Sequence, residues 1–563
     1  MSRKWRVVVP MLLGFTLIAG ACGSDGDDGR AAPATTAAAP ATTAAAPVAE
    51  CPSGSVEGDL FTMAIPSVPN SLDPSVPQGN ASNDTYSVWV STLIQYANLG
   101  PDPGGLQGPE DIVGELAESW SRNDDGSYTV TLRSACSAAG NQLTSEDVRW
   151  SLERAAEFDP IARFLFDAGN FDTENLITII DEKTFTINVT NPSVVTLRTL
   201  IPENLPVLDS TEALKHATAD DPWASEWLAT NIASFGPYTL ESFTPGEEIR
   251  LVANQNYWGG VPSFDQVVIR AVPESSTRMQ LLASGEVDFA GRLSAQHFTS
   301  LQDRGDVNAI VSPTAKSDVI WLRLGGDNSF EPFRDPRVRK AIALATDREA
   351  LVKAAYQDLG SPSLYQIDSR MPYPSPPPPE PYSYDVEAAR QLLADAGYGD
   401  GFSFELIGFN GRPGPQAEPI AVLVKSNLSQ IGIDVNVNMV ASSADYNAGR
   451  SQDGPYVAWI DQYLSLVPDP SYHVGLFLKS TSPYNLAGYE NLRVDELVEL
   501  TTALEPGAER DVLLQEMVTI LQEDTVVIPL VEDTFLVSLG GDIQGYYPVA
   551  NLRVYPHRLY RGE

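Results

Sequence analysis

Residues 234–290 read SFGPYTLESFTPGEEIRLVANQNYWGGVPSFDQVVIRAVPESSTRMQLLASGEVDFA, and this stretch decides the fold class. Apolar residues alternate in two runs that meet at a Pro-Gly turn, which predicts a β-hairpin. The predicted elements are, in order, a hairpin of Tyr238–Phe243 and Ile249–Ala253, a strand at Val267–Ile269, a helix that Ser275 or Ser276 can cap and Gly285 ends, and a strand at Val287–Phe289. This order predicts a mixed α/β domain.

Three motifs in the same stretch carry a resemblance to a known family. They are Gly236-Pro237-Tyr238, then Asn254 followed by Tyr257-Trp258-Gly259, and then Ser284–Asp288. This string resembles the extracytoplasmic solute-binding family 5 of ABC importers, which includes dipeptide-, oligopeptide- and nickel-binding proteins. Further motifs follow in the family's order from about Asp59 to Arg558. The resemblance implies an α/β, two-lobed periplasmic-binding-protein-like fold of the large cluster C type, with an extra subdomain inserted in the first lobe.

The expected domain organisation follows from this resemblance and from composition. The expected segments are a signal peptide (1–21), an Ala/Thr/Pro-rich disordered tether (22–50), the first part of lobe I (51–93), its inserted subdomain (94–205), its second part (206–312), lobe II (313–525) and the C-terminal part of lobe I (526–563).

The N-terminus predicts export. Arg3, Lys4 and Arg6 precede the apolar run Val7–Ala19, which is too short to span a bilayer. Residues 19–22 read AGAC and resemble a bacterial lipobox, so acylation of Cys22 is predicted; the alternative is an ordinary secretory signal cleaved nearby. The tract that follows repeats PATTAAA and lacks large apolar residues, which is typical of a tether.

Three cysteines occur, at Cys22, Cys51 and Cys136. If Cys22 is acylated, two remain in an oxidising compartment, and a Cys51–Cys136 disulfide is the simplest hypothesis.

Composition and the absence of certain motifs exclude several classes of partner and of enzyme. The formal net charge of −38 argues against nucleic acid and anionic membrane surfaces as partners, because both need basic patches. The four histidines are far apart, and neither a G-x-S-x-G elbow nor a phosphate-binding G-x-x-x-x-G-K-[ST] loop occurs. No cofactor and no enzymatic activity are therefore expected. A secreted hydrolase of peptides or saccharides stays open as an alternative, because 74 acidic residues always supply carboxylate pairs.

Candidate ligand contacts come from two loops and a strand. Asn70, Ser71 and Asp73 follow the first strand, where the family's loop lies at the cleft between the lobes; the alternative is that they cap their own turn. Arg412 precedes a helix predicted at residues 416–430, where an Arg beside backbone N–H groups suits a ligand carboxylate; the alternative is a surface loop Arg.

The strongest candidate is the segment 459–463, which reads WIDQY. In peptide-binding members of the family, a Trp is followed three residues later by an Asp that pairs with the ligand's amino group. Here Trp459 is followed by Asp461 and Gln462, and adjacent residues of a strand point to opposite faces, so Asp461 does not substitute for that Asp. Gln462 suits a neutral ligand or one without a free N-terminus. Trp459 and Tyr463 are candidates too, with core packing as their alternative.

The expected function is therefore capture of a small solute between two lobes. The family favours a peptide, and Gln462 keeps a neutral solute such as a sugar open. Expected partners are an ABC permease and separate ATPase subunits, with the membrane reached through a lipid anchor and the chain itself a monomer. A ligand-sensing lipoprotein without a transporter is the further alternative.

Overall fold

Two large β-sheets organise the chain in a computed structural model, which describes residues 59–76, 80–100, 106–108, 110–371 and 380–562. The strands of the seven-stranded sheet are, in spatial order, Val307–Ser312, Phe535–Gly540, Phe289–Ala290, Asp59–Ile65, Phe264–Ala271, Glu248–Ala253 and Tyr238–Thr244. Those of the six-stranded sheet are Ser361–Pro362, Val527–Glu532, Lys316–Leu322, Ala458–Leu464, Phe402–Gly408 and Ile433–Met439. We call the parts built on these sheets the first and the second lobe.

Smaller sheets complete the first lobe. They are a four-stranded sheet (Ala117–Arg122, Tyr128–Leu132, Thr184–Ile187, Ile177–Ile179) and two pairs (Ile94–Tyr96 with Ile112–Gly114, and Ile543–Gln544 with Tyr560–Arg561). The four-stranded sheet packs with the helix Ser145–Phe158, which Thr144 and Asp147 cap reciprocally, in a core that Val467, Tyr472 and Leu476 of the second lobe also enter. The inserted subdomain and its bounds stay a prediction.

Helices cover both lobes. Those before the second lobe are Asn80–Trp89, Ser145–Phe158, Pro160–Ala168, Ser210–Ala213, Ser225–Leu228, Ser275–Ala283 and Ala295–Gln302. Those of the second lobe are Glu331–Arg334, Pro336–Ala345, Arg348–Tyr356, Val386–Asp395, Ala417–Ser429, Ser443–Arg450, Pro470–Phe477, Leu492–Ala503 and Ala508–Asp524. Short 3₁₀ turns lie at Leu197–Leu200, Leu214–His216 and Pro556–Arg558.

The hairpin, the following strand and the helix of this stretch fold as the sequence predicts, whereas the last strand is Phe289–Ala290 and not Val287–Phe289. Tyr238–Thr244 and Glu248–Ala253 pair antiparallel across the turn, where Gly246 has φ +76°. Gly285, at φ +75°, follows the helix Ser275–Ala283. Capping differs from the prediction: Glu274 is the N-cap residue and makes no side-chain cap bond, whereas the Ser275 hydroxyl accepts from the Ser294 amide.

The six-stranded sheet is buried on both faces. Ile320 and Ile460 point into a core with the helices Pro336–Ala345 and Ala417–Ser429. Trp321 and Trp459 point into the core on the other face. This alternation is a direct consequence of the two-residue period of strands.

Two crossovers connect the lobes, one after Ser312 and one after Glu532. They lie side by side, since the Asp533 amide donates to the Lys316 carbonyl at 2.9 Å. Arg370 joins them, because its guanidinium donates to the carbonyls of Lys316 (3.0 Å) and Asp533 (2.5 Å).

The second crossover corrects the predicted return to lobe I at residue 526. Val527–Glu532 pairs with Lys316–Leu322, so this strand belongs to the second lobe and the chain leaves it at Asp533. A strand whose residues are all apolar except for its terminal Glu532 fits either sheet, and periodicity alone does not choose between them. The other predicted boundaries stay a prediction.

Candidate ligand-binding site

A group of charged side chains marks one edge of the six-stranded sheet. Lys316–Leu322 runs antiparallel to Ala458–Leu464, which in turn runs parallel to Phe402–Gly408. The start of the first strand therefore lies beside the end of the second, and the third strand ends toward the same edge, next to the first residues of the second. Both crossovers leave from this edge, so it faces the first lobe. The ends of strands at such an edge are where α/β sheets commonly bind ligands.

Asp461 is held at this edge between two arginines, an arrangement that we call the Asp461 clamp. Its Oδ1 lies 2.5 Å from Arg412 Nε, and its Oδ2 lies 3.1 Å from Arg450 Nη1. The Gln462 amide also donates to Oδ1 at 2.7 Å. The clamp thus has two cations for one carboxylate.

The two arginines of the clamp are partly exposed to solvent, whereas the carboxylate between them is buried. The side chain of Asp461 is 2% exposed, whereas Arg412 is 37% and Arg450 19% exposed. Burial acts to lower the pKa of Arg412, and Asp461, with a smaller contribution from Asp318, raises it above its usual value. A guanidinium that is both partly exposed and held charged is suited to an anionic ligand.

Local sequence explains how Arg412 reaches this position. The loop between Gly408 and the helix Ala417–Ser429 turns back on itself, with the Arg412 amide donating to the Phe409 carbonyl at 2.9 Å. The predicted helix N-terminus is therefore confirmed beside Arg412, but the guanidinium contacts Asp461. Alternation along the strand places Asp461 on the opposite face from Gln462, as the sequence predicts.

A second charged group lies on the other face of the same edge. Asp318 is fully buried; its Oδ2 accepts from Gln416 Nε2 at 2.9 Å and from the Tyr356 hydroxyl, and Lys316 Nζ lies 3.6 Å from Oδ1. Lys316 also pairs with Asp533. We call Lys316, Asp318 and Asp533 the Asp318 group.

The first lobe supplies a further cation. Arg292 pairs with Asp84 through contacts of 2.5 and 2.8 Å, yet its side chain stays 32% exposed. Its positive charge acts to lower the pKa of Lys316, the smallest of the influences on that group. Arg292 is thus the first-lobe cation that faces the Asp318 group electrostatically.

Trp459 and Tyr463 pack in the core behind this edge. Trp459 is fully buried and stacks on Trp321, with ring centroids 6.3 Å apart. Tyr463 is 1% exposed and lies edge-on to Trp321 and to His473, at 5.3 and 3.9 Å. Burial lowers the pKa of His473 to about 3. The contacts of both aromatic residues are those of core packing.

The loop after the first strand belongs to the framework of the first lobe. Asp73 is 1% exposed and forms a bidentate ion pair with the fully buried Arg154, at 2.7 and 2.6 Å. Ser71 Oγ accepts from the Asp73 amide at 3.2 Å, and Asn70 lies beside the hairpin turn at Gly246. These contacts match the turn-capping alternative for Ser71 and Asp73.

A second carboxylate between two arginines lies in the chain that follows the strand Ala458–Leu464, and we call it the Asp469 clamp. Asp469 contacts Arg198 at 2.9 Å and Arg510 at 2.8 Å. It also caps the helix Pro470–Phe477. Burial alone raises the pKa of Asp469, but Arg510 and Arg198 bring it well below its usual range.

The predicted cysteine chemistry lies mostly outside the described residues. Cys22 and Cys51 are not among them. Cys136 is 3% exposed, and its Sγ accepts from Gln142 Nε2 at 3.1 Å. Acylation and the disulfide stay predictions.

Sequence reasoning did not single out Lys316, Asp318, Arg450 or Arg292. A signal existed for the first two, because charged residues on alternate positions at the start of a buried strand are unusual. Arg450 and Arg292 offer no such signal, since they reach the site from a helix end and from the first lobe.

The described part of the chain contains no cluster of three or more His, Cys, Asp or Glu residues arranged for a metal ion. Among the helices described, none combines the length and apolar character that a membrane span requires.

Comparison with known proteins agrees with this architecture. The sequence is 27% identical over 498 residues to the probable D,D-dipeptide-binding periplasmic protein DdpA of Escherichia coli K12, covering 87% of this chain and 92% of DdpA. It is 25% identical to the glutathione-binding protein GsiB of Shigella flexneri serotype 5b, covering 83% and 88%.

Solved structures show the same fold. The periplasmic binding protein DppA of Helicobacter pylori, in complex with the peptide STSA, superposes with a TM-score of 0.75 at 22% identity, covering 90% of this chain and 98% of that protein. The family model for bacterial extracellular solute-binding proteins, family 5 Middle, matches residues 111–485. This chain therefore belongs to extracellular solute-binding protein family 5, the substrate-binding proteins of ABC importers.

Proposed function

We propose that the chain captures a small peptide-like solute at the edge of the six-stranded sheet and delivers it to an ABC permease driven by separate ATPase subunits. The observation that carries this proposal is the Asp461 clamp, whose second cation is not neutralised. The carboxylate of a peptide is the natural partner for Arg412. The names of DdpA and GsiB, which refer to peptides, and the peptide bound to Helicobacter pylori DppA support the same solute class.

Capture proceeds by closure of the two lobes on the solute. Arg412 lies in the second lobe and Arg292 in the first, so a solute between them contacts both. Contacts that the solute makes only when both lobes touch it stabilise the closed state relative to the open state by the free energy of those contacts. The closed form is then the form that the permease receives.

Export and anchoring complete the proposal. The N-terminal signal leads the chain out of the cytoplasm, acylation of Cys22 fixes it to the membrane, and residues 23–50 hold the body clear of the surface. The Cys51–Cys136 disulfide joins the end of this tether to the first lobe.

Native mass spectrometry of the purified protein, followed by denaturation and identification of what is released, tests the proposal. We expect an unmodified peptide in one-to-one ratio, or its recovery after incubation with a randomised peptide pool. An Arg412→Met variant loses this peptide, whereas Arg390→Met, which removes an exposed arginine of the same lobe, retains it. Release of cleaved peptide, or capture of uncharged sugars alone, contradicts the proposal.

A further inference from the structure

Asp318 carries an oxygen atom that has no hydrogen-bond donor. Its side chain is fully buried, and Oδ1 accepts no hydrogen bond from any residue that the structure describes. The closest cation, Lys316 Nζ, stands at 3.6 Å. A buried carboxylate oxygen without a donor is costly, and such groups recur where a ligand supplies the missing partner.

The charges around Asp318 do not balance. Lys316 is shared with Asp533, so the Asp318 group has one cation for two carboxylates. The nearby arginines Arg370 and Arg292 are each paired with a carboxylate outside the group, Asp368 and Asp84 respectively. Burial raises the pKa of Asp318, and Lys316 offsets this only in part. Within the group, carboxylates therefore outnumber cations by one.

The Asp461 clamp has the opposite imbalance at the same edge. One loop links the two, since Arg412 contacts Asp461 and Gln416, four residues later, contacts Asp318. Burial acts to lower the pKa of Arg412, whereas Asp461, Tyr446 and, to a smaller extent, Asp318 raise it. A site with an excess cation beside an excess carboxylate is complementary to a molecule that carries both charges.

We infer that the solute is a zwitterion whose ammonium group binds Asp318, while its anionic group binds Arg412. This inference rests on the proposed function and names the residue that selects for a free amine. Lys316 and Asp533, which belong to the same group, each keep 13% of their side chains exposed, whereas Asp318 is fully buried. The ammonium then supplies the donor that Oδ1 lacks and the charge that the group lacks.

The strand register gives Asp318 a second, independent argument. Asp318 lies directly opposite Gln462 in the antiparallel ladder. Residues directly opposite each other point to the same face, with Cβ atoms about 5 Å apart. An acidic side chain at position 318 therefore points into the same region as one at position 462. This face of the sheet keeps a carboxylate even though position 462 is a Gln.

The test compares blocked and unblocked peptides on the purified wild-type protein. Randomised di- and tripeptide pools are offered in free, N-acetylated and C-amidated forms, retained peptides are identified by native mass spectrometry, and affinities of the best peptides are measured by calorimetry. We expect acetylation of the amine to weaken binding by roughly tenfold to a hundredfold, the range for a charge-assisted contact. This comparison needs no variant.

Three variants assign the effect to Asp318. Asp318→Asn should bring the affinity for free peptides down to that for acetylated ones. Asp434→Asn, which makes the same change at an exposed position of the same sheet, should bind as wild type does. Adding Gln462→Asp to Asp318→Asn moves the carboxylate across the ladder and should restore the preference for a free amine.

Each outcome is decisive. Equal affinity for free and acetylated peptides overturns the inference and leaves the proposed function in place, as does a folded Asp318→Asn variant that still prefers the free amine. If no form of either pool binds, the proposed function fails and the inference with it. Should Asp318→Asn not fold, the wild-type comparison alone still supports or overturns the role of a free amine.

Discussion

The Asp461 and Asp469 clamps have the same composition and different surroundings. Each places a nearly buried Asp between two arginines. At Asp469 the arginines are 1% and 5% exposed, and each also donates to a backbone carbonyl, of Pro468 or Thr501. At Asp461 they are 37% and 19% exposed. The exposure of the cation, and not that of the carboxylate, distinguishes a candidate binding group from a framework group.

The largest expected effect is a loss of stability when the carboxylate of the Asp469 clamp is replaced. Asp469→Asn leaves two buried guanidinium groups without a counter-charge, and we expect a loss of about 3–5 kcal/mol in the free energy of unfolding. Asp461→Asn leaves its arginines partly hydrated and should cost less than half as much. Denaturant unfolding of both variants measures this, and equal losses would break the distinction between the clamps.

Replacement of one arginine in each clamp should rank the clamps in the opposite order when peptide affinity is measured: the Asp461 clamp should then show the larger effect. Arg412→Met removes a charge-assisted contact of roughly 1.5–3 kcal/mol, so peptide affinity should fall tenfold or more with little change in Tm. Arg510→Met should lower Tm through loss of its bonds to Asp469 and Thr501. Calorimetry and thermal melts on both proteins give the comparison; a large fall in Tm for Arg412→Met speaks against its role.

Falling pH should destabilise the protein through the buried His473, close to the Asp469 clamp. The pKa of His473, on the helix that Asp469 caps, is lowered by burial to about 3. Above pH 6.5 this His is neutral in both folded and unfolded chains; as pH falls toward 3, the unfolded chain binds a proton that the folded chain does not. Stability should therefore fall by up to about 1.4 kcal/mol per pH unit in this window.

Replacement of His473 by Leu isolates the contribution of this histidine to the pH dependence of the free energy of unfolding. The variant should lose the part of the pH slope that lies between 6.5 and 3, which urea unfolding at several pH values measures. An unchanged slope would assign the acid sensitivity to other groups.

The smallest expected effect concerns Arg450. It lies 3.1 Å from Asp461 and over the ring of Tyr446, at 5.3 Å from its centroid, so it orients the carboxylate that orients Arg412. Arg450→Met should weaken peptide binding about threefold to tenfold, the effect of one modest contact. A loss as large as that of Arg412→Met would mean that Arg450 itself contacts the solute.

The sequence predicts the fold better than the site, and the reason is physical. Hairpins, caps and apolar alternation depend on neighbours within a few residues, which is why the elements of residues 234–290 are found in place. The site depends on registers and crossovers between distant segments. Asp461 and Arg412 were singled out, yet their contact required knowledge of a loop 49 residues away in sequence. The possible role of Asp318 in ligand binding can be inferred only once its pairing with Gln462 on the neighbouring strand is known.

Arg370 has a consequence for the mechanics of the whole molecule. Because it holds the backbones of both crossovers together, a movement of one lobe against the other has to deform the two segments as a pair. If the lobes close on the solute as proposed, the free energy of that deformation enters the affinity. A substitution at Arg370 should then change how long the solute is retained without changing which solute is preferred.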